Sequence, residues 1–170
     1  MMMELDSPKP FYDQESLLEY LSNNGISYEY HTHPAVYTNE QADLYTHDLS
    51  GFPAKNLFLT NHKGNHFYLL VTDANTKTDF KMLGDQLNES RIRFASEQKM
   101  IQLLGITPGS VTPLAVINDF GKKVEMIFAP VAWNAERIFC HPLKNTATLI
   151  LQHSGLEKFL ELTGHQPRIL

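Results

Sequence analysis

Apolar residues recur with helical spacing in four stretches of this chain. In the first stretch Leu17 and Leu21 share one face, Asp13 can serve as the N-cap, and Gly25 can end the helix. The same reasoning predicts three further helices. One runs from about Thr78 to Leu87, with Phe80, Leu83 and Leu87 as its apolar positions, and one lies between Ser96 and Gly105, with Met100, Leu103 and Leu104. The last begins at a Ser154–Glu157 capping box, ends at Gly164 and has Leu156, Phe159 and Leu160 on its apolar face.

Runs rich in β-branched and aromatic residues predict the strands. Asn56–Thr60 and His66–Thr72 are separated by turn-forming residues, which predicts a hairpin. Pro113–Ile117 and Val124–Phe128 flank the turn formers of residues 118–121 in the same way, which predicts a second hairpin. Shorter strands are expected at Tyr28–His31, Arg91–Ala95, Arg137–Cys140 and Thr146–Leu151.

The predicted helices and strands intermix without a strict alternation of strand and helix. This order favours an α/β domain in which helices surround a mixed sheet. A length of 170 residues suits one domain, which we expect to span residues 1–170. The first part of it, residues 1–10, is expected to be a flexible N-terminal segment.

The composition is that of a globular protein, with 42% hydrophobic and 19% charged residues and no apolar run of membrane-spanning length. The net charge of −5 argues against a protein that coats nucleic acid non-specifically, but it is compatible with a local basic patch that binds one end of an RNA. The first ten residues lack the features of a signal peptide, and a single cysteine excludes an internal disulfide framework. We therefore expect a cytoplasmic protein.

The eight histidines raise the question of a metal site. His31 and His33 form an H-x-H pair, whose side chains would face the same way on a strand. No third ligand follows at a fixed spacing, so we expect solvated histidines and no metal. The other histidines considered lie near predicted turns or termini, namely His62, His66, His153 and His165.

Cys140 and His141 are a second candidate for chemistry. Adjacent residues on a strand point to opposite faces, so a buried Cys140 would leave His141 facing a site. The alternative is a nucleophilic Cys140, which would need a base close in space.

The segment Gly105–Pro113 contains two glycines and two prolines between a predicted helix and a predicted strand. Backbone N–H groups of Gly109, Ser110, Val111 and Thr112 could donate to an oxyanion or to a carbonyl oxygen. The alternative is a plain connector.

Three basic residues flank predicted strands. Lys55 begins an apolar strand, where its ammonium either aims into a cleft or is simply exposed. Arg91 and Arg93 would share one strand face, which is either solvated or turned toward RNA.

Taken together, several segments resemble the prolyl-tRNA editing (YbaK-like) family, in particular its free-standing bacterial alanyl-tRNA(Pro) deacylases. The resemblance covers about Leu17 to Leu170 and lies in the order and spacing of short motifs. These are His33–Thr38 with Glu40, Lys55–Leu59, Arg93–Ser96, Leu104–Pro113, His141–Thr148 and Phe159–His165.

The resemblance implies roles for individual residues and a partly barrel-like central sheet. Lys55 matches a lysine near the terminal adenosine and phosphate, Gly109 and Pro113 match the ends of a loop that meets the aminoacyl group, and His141 matches a histidine beside a small aminoacyl pocket. Around these catalytic candidates, substrate binding is expected from Thr38, Asn56, Ser110, Val111, Thr112 and Pro113.

The resemblance also implies a reaction. The family hydrolyses mischarged aminoacyl-tRNA without metal or cofactor, and the substrate's own ribose 2′-hydroxyl is thought to assist the attacking water. An aminoacyl ester is already activated, so it needs positioning and oxyanion stabilisation more than a strong nucleophile. The segment 127–130 departs from relatives that commonly carry an acidic residue there, and Cys140 is a local variant.

The expected function is therefore trans-editing of tRNA(Pro), with alanine as the preferred aminoacyl group. A small pocket would exclude the proline ring, while cysteine, serine or another small group remains an alternative. A non-catalytic tRNA-binding or amino-acid-sensing relative is the other alternative. Expected partners are tRNA, bound weakly, and transiently prolyl-tRNA synthetase, but no membrane. The candidate basic contacts to tRNA are Lys55, Lys77, Lys81, Arg91 and Arg93.

Overall fold

The computed structural model describes residues 9–170. The flexible segment expected over residues 1–10 lies almost entirely outside this range. The described residues form helices α1 Gln14–Asn23, α2 Asn39–Thr46, α3 Phe80–Leu87, α4 Glu97–Leu104, α5 Pro130–Trp133 and α6 His153–Thr163, a 3-10 helix at Pro113–Asn118, and strands β1 Tyr28–Thr32, β2 Ala54–Thr60, β3 Phe67–Asp73, β4 Arg93–Phe94, β5 Val124–Phe128, β6 Arg137–Cys140, β7 Ala147–Gln152 and β8 Arg168–Ile169.

The strands form two sheets. A five-stranded sheet has the order β4-β2-β3-β5-β8, with antiparallel pairing around β2 and parallel pairing on both sides of β5. A three-stranded antiparallel sheet has the order β1-β7-β6. A bridge between Phe52 and Ile138 joins the two sheets without closing a barrel. The predicted α/β domain with a mixed sheet and surrounding helices is confirmed.

The five-stranded sheet buries apolar side chains on both faces. Phe58, Val71 and Phe128 belong to the larger core, which is shared with helices α1, α4 and α6 and with the three-stranded sheet. Leu59 and Ile127 face the smaller core beneath α3. Because side chains alternate along β2, Asn56 shares the face of Phe58, whereas Lys55 shares the face of Leu59.

Helix caps account for the helices that the sequence predicts well. The Asp13 carboxylate accepts from the Ser16 N–H at 2.9 Å, and the Ser96 hydroxyl accepts from the Lys99 N–H at 3.1 Å. Gly105 ends α4 in the left-handed conformation, with φ of +64°. The predicted helix near Thr78 is also present and begins after the N-cap Asp79.

The predicted second hairpin is wrong. Pro113–Asn118 is a 3-10 helix whose residues are all buried, so residues 118–121 do not join two strands. The Thr112 hydroxyl caps this helix by accepting from the Leu114 N–H at 3.3 Å. A short apolar run is compatible with a buried strand or a buried helical turn, and Pro113 lacks the N–H that a central strand requires.

Two smaller predictions also need correction. Helix α6 begins at His153 directly after β7, so Ser154 lies inside its first turn and no Ser154–Glu157 capping box forms. Strand β4 contains only Arg93 and Phe94, and Arg91 precedes it with φ of +53°. The strand alternation that would place both arginines on one face therefore does not apply.

A buried hydrogen bond between Asp119 and His165 fixes the end of α6 against the turn before β5. The side chains of Asp119 and His165 are each 2% exposed, and Asp119 Oδ2 lies 2.8 Å from His165 Nε2. Burial opposes ionisation of Asp119, but hydrogen bonds from His165 and from the N–H groups of Val124 and Lys123 outweigh it and lower the pKa of the carboxyl. The ionised Asp119 carboxyl therefore stabilises the fold above the pKa that it has in the unfolded chain. This contribution is lost as the pH falls through the lower pKa that it has in the folded protein.

We expect Asp119→Asn to lower the free energy of unfolding by about 2 kcal/mol at pH 7, because the amide replaces a carboxylate that is hydrogen-bonded to His165 and to the N–H groups of Lys123 and Val124. Urea denaturation of the variant and of the exposed control Asp85→Asn measures this difference. The control should change stability by less than about 0.5 kcal/mol. Equal midpoints for the two variants would show that the pair contributes nothing.

Candidate functional site

A cleft opens between α2 and the edges of the two sheets. Its floor comes from the start of β2 and the end of β6, and α2 covers it from the other side. Two adjoining cavities of about 250 and 240 Å³ make up the cleft. The residues that line both cavities are Asn39, Ala42, Ala54, Asn56 and His141.

The two cavities differ in their remaining lining. We call the first the acidic lobe, because Glu40 and Asp43 line it together with Thr148. We call the second the lysine lobe, because Lys55 lines it together with Gly109, Val111 and residues 36–38, the last of which is Thr38. Among the predicted site residues, the structure thus brings together Thr38, Lys55, Asn56, Gly109, Val111 and His141.

Lys55 supplies the positive charge of the lysine lobe. Its Nζ donates to the Thr76 carbonyl oxygen at 2.6 Å, which holds the side chain at the cleft. Within residues 9–170 no carboxylate lies within salt-bridge distance of this ammonium. The lysine is therefore able to pair with an anionic group of a ligand.

The loop before the 3-10 helix contributes backbone donors to the lysine lobe. Gly109 has φ of +88°, and a Cβ there would lie 3.1 Å from the Tyr37 ring, so the position favours glycine. The N–H groups of Gly109 and Val111 donate to no acceptor in the described part of the chain. The Ser110 N–H is already engaged with the Thr107 carbonyl oxygen at 3.1 Å.

Three predicted substrate-binding residues of the same loop lie away from the cavities. Ser110, Thr112 and Pro113 are buried, and none of them lines either lobe. Thr112 caps the 3-10 helix and Pro113 begins it. Their position indicates that they hold the loop in shape behind Gly109 and Val111.

His141 presents one ring nitrogen to both lobes. Its Nδ1 lies 3.1 Å from the Ala147 carbonyl oxygen and must donate to it. Burial lowers the pKa of the imidazole, and nearby His33 lowers it further, against the opposing effect of the Ala147 hydrogen bond. The ring is therefore neutral at pH 7, and its Nε2 is a hydrogen-bond acceptor.

His33, to which the sequence analysis assigned no role in the site, contacts the Thr148 side chain of the acidic lobe. Its Nδ1 donates to the Pro34 carbonyl oxygen at 2.9 Å, and its Nε2 lies 2.8 Å from the Thr148 hydroxyl oxygen. The ring also stacks on Tyr45 of α2, with centroids 5.4 Å apart. The expectation of solvated histidines is wrong for His165, which is buried, whereas His33 keeps part of its surface exposed.

The acidic lobe was also not predicted. Glu40 and Asp43 lie on α2, whose sequence NEQADLYT carries too few apolar residues to indicate a helix. A signal was nevertheless present, because Thr38 caps α2 and Gln41 follows at capping-box spacing. Asn56 Oδ1, on the floor of this lobe, is buried and has no hydrogen-bond partner.

Cys140 behaves as a core residue, as predicted. The side chain is 2% exposed, and burial raises the pKa of its thiol to about 12. A neutral, buried thiol is a poor nucleophile, which removes the alternative of cysteine catalysis. In residues 9–170 no three His, Cys, Asp or Glu side chains converge as metal ligands would. In the same range every helix is too short or too polar to cross a bilayer.

Comparisons with known proteins identify relatives of this chain. The profile of the aminoacyl-tRNA editing domain family matches residues 33–159. The prolyl-tRNA editing protein ProX of Acetoanaerobium sticklandii is 32% identical over 152 residues, which cover 89% of this chain and 93% of ProX. Prolyl-tRNA synthetase associated domain-containing protein 1 of Xenopus laevis is 32% identical over 160 residues, which cover 92% and 95% of the two chains.

Solved structures share the fold. The hypothetical protein APE2540 superposes with a TM-score of 0.68 at 14% identity, covering 89% of this chain and 95% of that one. A protein provisionally described as a trans-editing enzyme for prolyl tRNA synthetase superposes with a TM-score of 0.65 at 16% identity, covering 95% and 98%. The family profile and the relatives above 30% identity lead to one conclusion: this chain belongs to the aminoacyl-tRNA editing domain family.

Proposed function

We propose that the protein is a trans-editing hydrolase that cleaves the ester of mischarged tRNA(Pro), with alanine as its main aminoacyl group. One observation carries the proposal. Lys55 and the unengaged N–H groups of Gly109 and Val111 belong to one lobe, whereas Glu40, Asp43 and Thr148 line the other lobe, and His141 borders both. The aminoacylated 3′ end of a tRNA also has two different ends, with phosphate and carbonyl oxygens at one and an ammonium group at the other.

The lysine lobe suits the part of the substrate that becomes negative. The N–H groups of Gly109 and Val111 would donate to the ester carbonyl oxygen and stabilise the oxyanion that forms during attack. Lys55 would pair with a phosphate near the terminal adenosine. An activated ester needs little more than such positioning.

In this proposal His141 forms a hydrogen bond with the attacking water. Its neutral Nε2 can accept a hydrogen bond from water or from the 2′-hydroxyl of the terminal ribose. The water oxygen forms a bond to the carbonyl carbon, the ester C–O bond breaks, and the ribose oxygen takes up a proton. The products are the free amino acid and the uncharged tRNA.

The choice of substrate rests on the relatives and on the size of the cleft. The similar proteins from Acetoanaerobium sticklandii and Xenopus laevis are both named for prolyl-tRNA. Each lobe offers only about 250 Å³, which favours a small aminoacyl group. Alanine fits this space, and cysteine or serine adds a single heavy atom. Discrimination between such similar side chains is weak in general.

The proposal extends to partners. A chain with a net charge of −5 should bind tRNA weakly, through a few basic residues near the cleft such as Lys55, Lys77 and Lys81. Weak binding suits an editor that releases correctly charged tRNA. A transient association with prolyl-tRNA synthetase in the cytoplasm would give it access to mischarged product.

Deacylation of labelled tRNA tests the proposal directly. We expect purified protein to hydrolyse Ala-tRNA(Pro) well above the uncatalysed rate and to leave Pro-tRNA(Pro) intact. Cys-tRNA(Pro) and Ser-tRNA measured in parallel define the range of accepted groups. If every ester survives at the blank rate, the protein is no deacylase, and a tRNA-binding or amino-acid-sensing role takes its place.

A further inference from the structure

We infer that Gly51, which lines neither lobe of the cleft, sets the depth of the acidic lobe by supporting the ring of Phe139. Gly51 thereby decides the largest aminoacyl group that this chain hydrolyses. The inference rests on the proposed function and adds to it a residue outside the cleft. Gly51 is a positioning residue in this scheme, because it acts through Phe139 and touches no substrate.

Phe139 is the largest apolar side chain of the acidic lobe. It lies in β6, on the strand face opposite to the core residues Ile138 and Cys140. The other apolar residues that line the lobe are small, namely Ala42, Pro53, Ala54, Ala74 and Cys140. The position of the Phe139 ring therefore determines much of the space, about 250 Å³, that the lobe offers.

The Phe139 ring packs directly on Gly51. A Cβ at Gly51 would lie 2.7 Å from Phe139 Cδ1 and closer still to Cε1, where carbon atoms repel each other strongly. The φ angle of Gly51 lies outside the left-handed region, so the ring, and not the turn, requires a glycine here. Because Gly51 lines neither lobe, the ring lies between this glycine and the acidic lobe.

Hydrogen bonds hold the backbone on both sides of Gly51 against β6. The Phe52 N–H donates to the Arg137 carbonyl oxygen at 2.8 Å, and the Phe139 N–H donates to the Phe52 carbonyl oxygen at 3.1 Å. The Arg137 Nε–H donates to the Ser50 carbonyl oxygen at 3.0 Å. A side chain added at Gly51 therefore cannot be relieved by moving this segment without breaking these bonds, whereas the half-buried Phe139 ring is able to turn.

Gly51→Ala should push the Phe139 ring into the acidic lobe and remove the room for the methyl group of an alanyl ester. A glycyl ester has no side chain and should still fit. One methyl group more than an apolar pocket can hold lowers the relative rate about tenfold or more. We therefore expect the ratio of kcat/KM for Ala-tRNA(Pro) to that for Gly-tRNA(Pro) to fall at least about tenfold, after subtraction of each blank rate.

Gly121→Ala is the matched control. Gly121 is exposed, and the nearest atoms to an added Cβ belong to the exposed Lys123 side chain, 3.6 Å away, an ordinary contact distance. The alanyl-to-glycyl ratio should stay at the wild-type value in this variant. Retained hydrolysis of the glycyl ester by Gly51→Ala would show that the fold and the reacting groups are intact, so a general loss of structure could not explain the changed ratio.

Phe139→Val tests the same ring from the other side. Valine suits a strand and lacks every ring atom that the added methyl group would meet. The lobe becomes deeper, so the ratio of 2-aminobutyryl to alanyl ester hydrolysis should rise about tenfold. In the double variant Gly51→Ala/Phe139→Val the alanyl-to-glycyl ratio should return to the wild-type value or exceed it.

Two results would overturn the inference: a wild-type alanyl-to-glycyl ratio in Gly51→Ala, or a double variant that keeps the low ratio of the single one. If Gly51→Ala fails to fold, Phe139→Val decides alone, and an unchanged 2-aminobutyryl-to-alanyl ratio overturns the inference. These results leave the proposed function intact as long as the wild-type protein hydrolyses Ala-tRNA(Pro). A wild-type protein that hydrolyses no ester removes both.

Discussion

Replacing Lys55 by alanine is expected to lower kcat/KM for Ala-tRNA(Pro) by about 100-fold. Under the proposed function the variant lacks the one cationic side chain that lines the lysine lobe within residues 9–170, so the ester is no longer positioned for attack. The fold should tolerate the change. Lys55 contributes a hydrogen bond to the Thr76 carbonyl oxygen but belongs to neither apolar core. The free energy of unfolding should therefore move by less than about 0.5 kcal/mol.

A second lysine provides the control for this experiment. Lys63 lies exposed in the turn at the opposite end of the β2–β3 hairpin, so Lys63→Ala removes the same charge away from the cleft. Activity should be close to wild type in this control, and the dependence of log activity on log salt should weaken by about one only in Lys55→Ala. Matching losses in both variants would mean that Lys55 acts through net charge alone.

Replacing His141 by alanine is expected to lower kcat/KM by a similar factor of about 100, because the attacking water loses its hydrogen-bond acceptor. The same variant should relax selectivity. A space replaces the ring beside both lobes, so the cleft can accept a larger aminoacyl group. The ratio of Ala-tRNA(Pro) to Pro-tRNA(Pro) hydrolysis measures this second effect, with the exposed His62→Ala as the matched control.

The pH dependence gives a signature that a merely structural role of His141 would not produce. Burial lowers the pKa of His141 from its usual 6.5, and the neutral ring is the form that accepts at Nε2. Wild-type activity should therefore be full above that depressed pKa and fall as the pH drops through it. The fall should disappear in His141→Ala. A variant that keeps both its rate on alanyl ester and its inactivity on prolyl ester would exclude His141 from the pocket.

Local signals explain which parts of the fold were predictable. Helices α1 and α4 carry a capping side chain at one end and a glycine or asparagine turn at the other, so their bounds follow from the sequence. The run Pro113–Ile117 has no such periodicity, and a buried 3-10 turn has the same apolar composition as a buried strand. Helix α2 was missed because it lies over the cleft and packs few apolar side chains.

The two lobes of the site also differed in how far the sequence predicted them. Lys55, Gly109 and His141 could be expected from short motifs that resemble a known family. The acidic lobe could not, because it depends on contacts between distant parts of the chain. His33 and Thr148, for example, are 115 residues apart and meet only through the pairing of β1 with β7.

The pairing of β1 with β7 also has a consequence for how the protein is made. Strand β1 leaves the ribosome early, but its partner β7 follows after more than 100 further residues, with Tyr28 pairing to Leu151. Until then His33 has no Thr148, and the neighbouring β6, which leads to His141, lacks the strand that it pairs with. Contacts of such long sequence separation form late, since the loop between them must close first. A chain that stops before about residue 147 lacks β7, the strand with which both β1 and β6 pair, so we expect such a fragment to have no complete cleft.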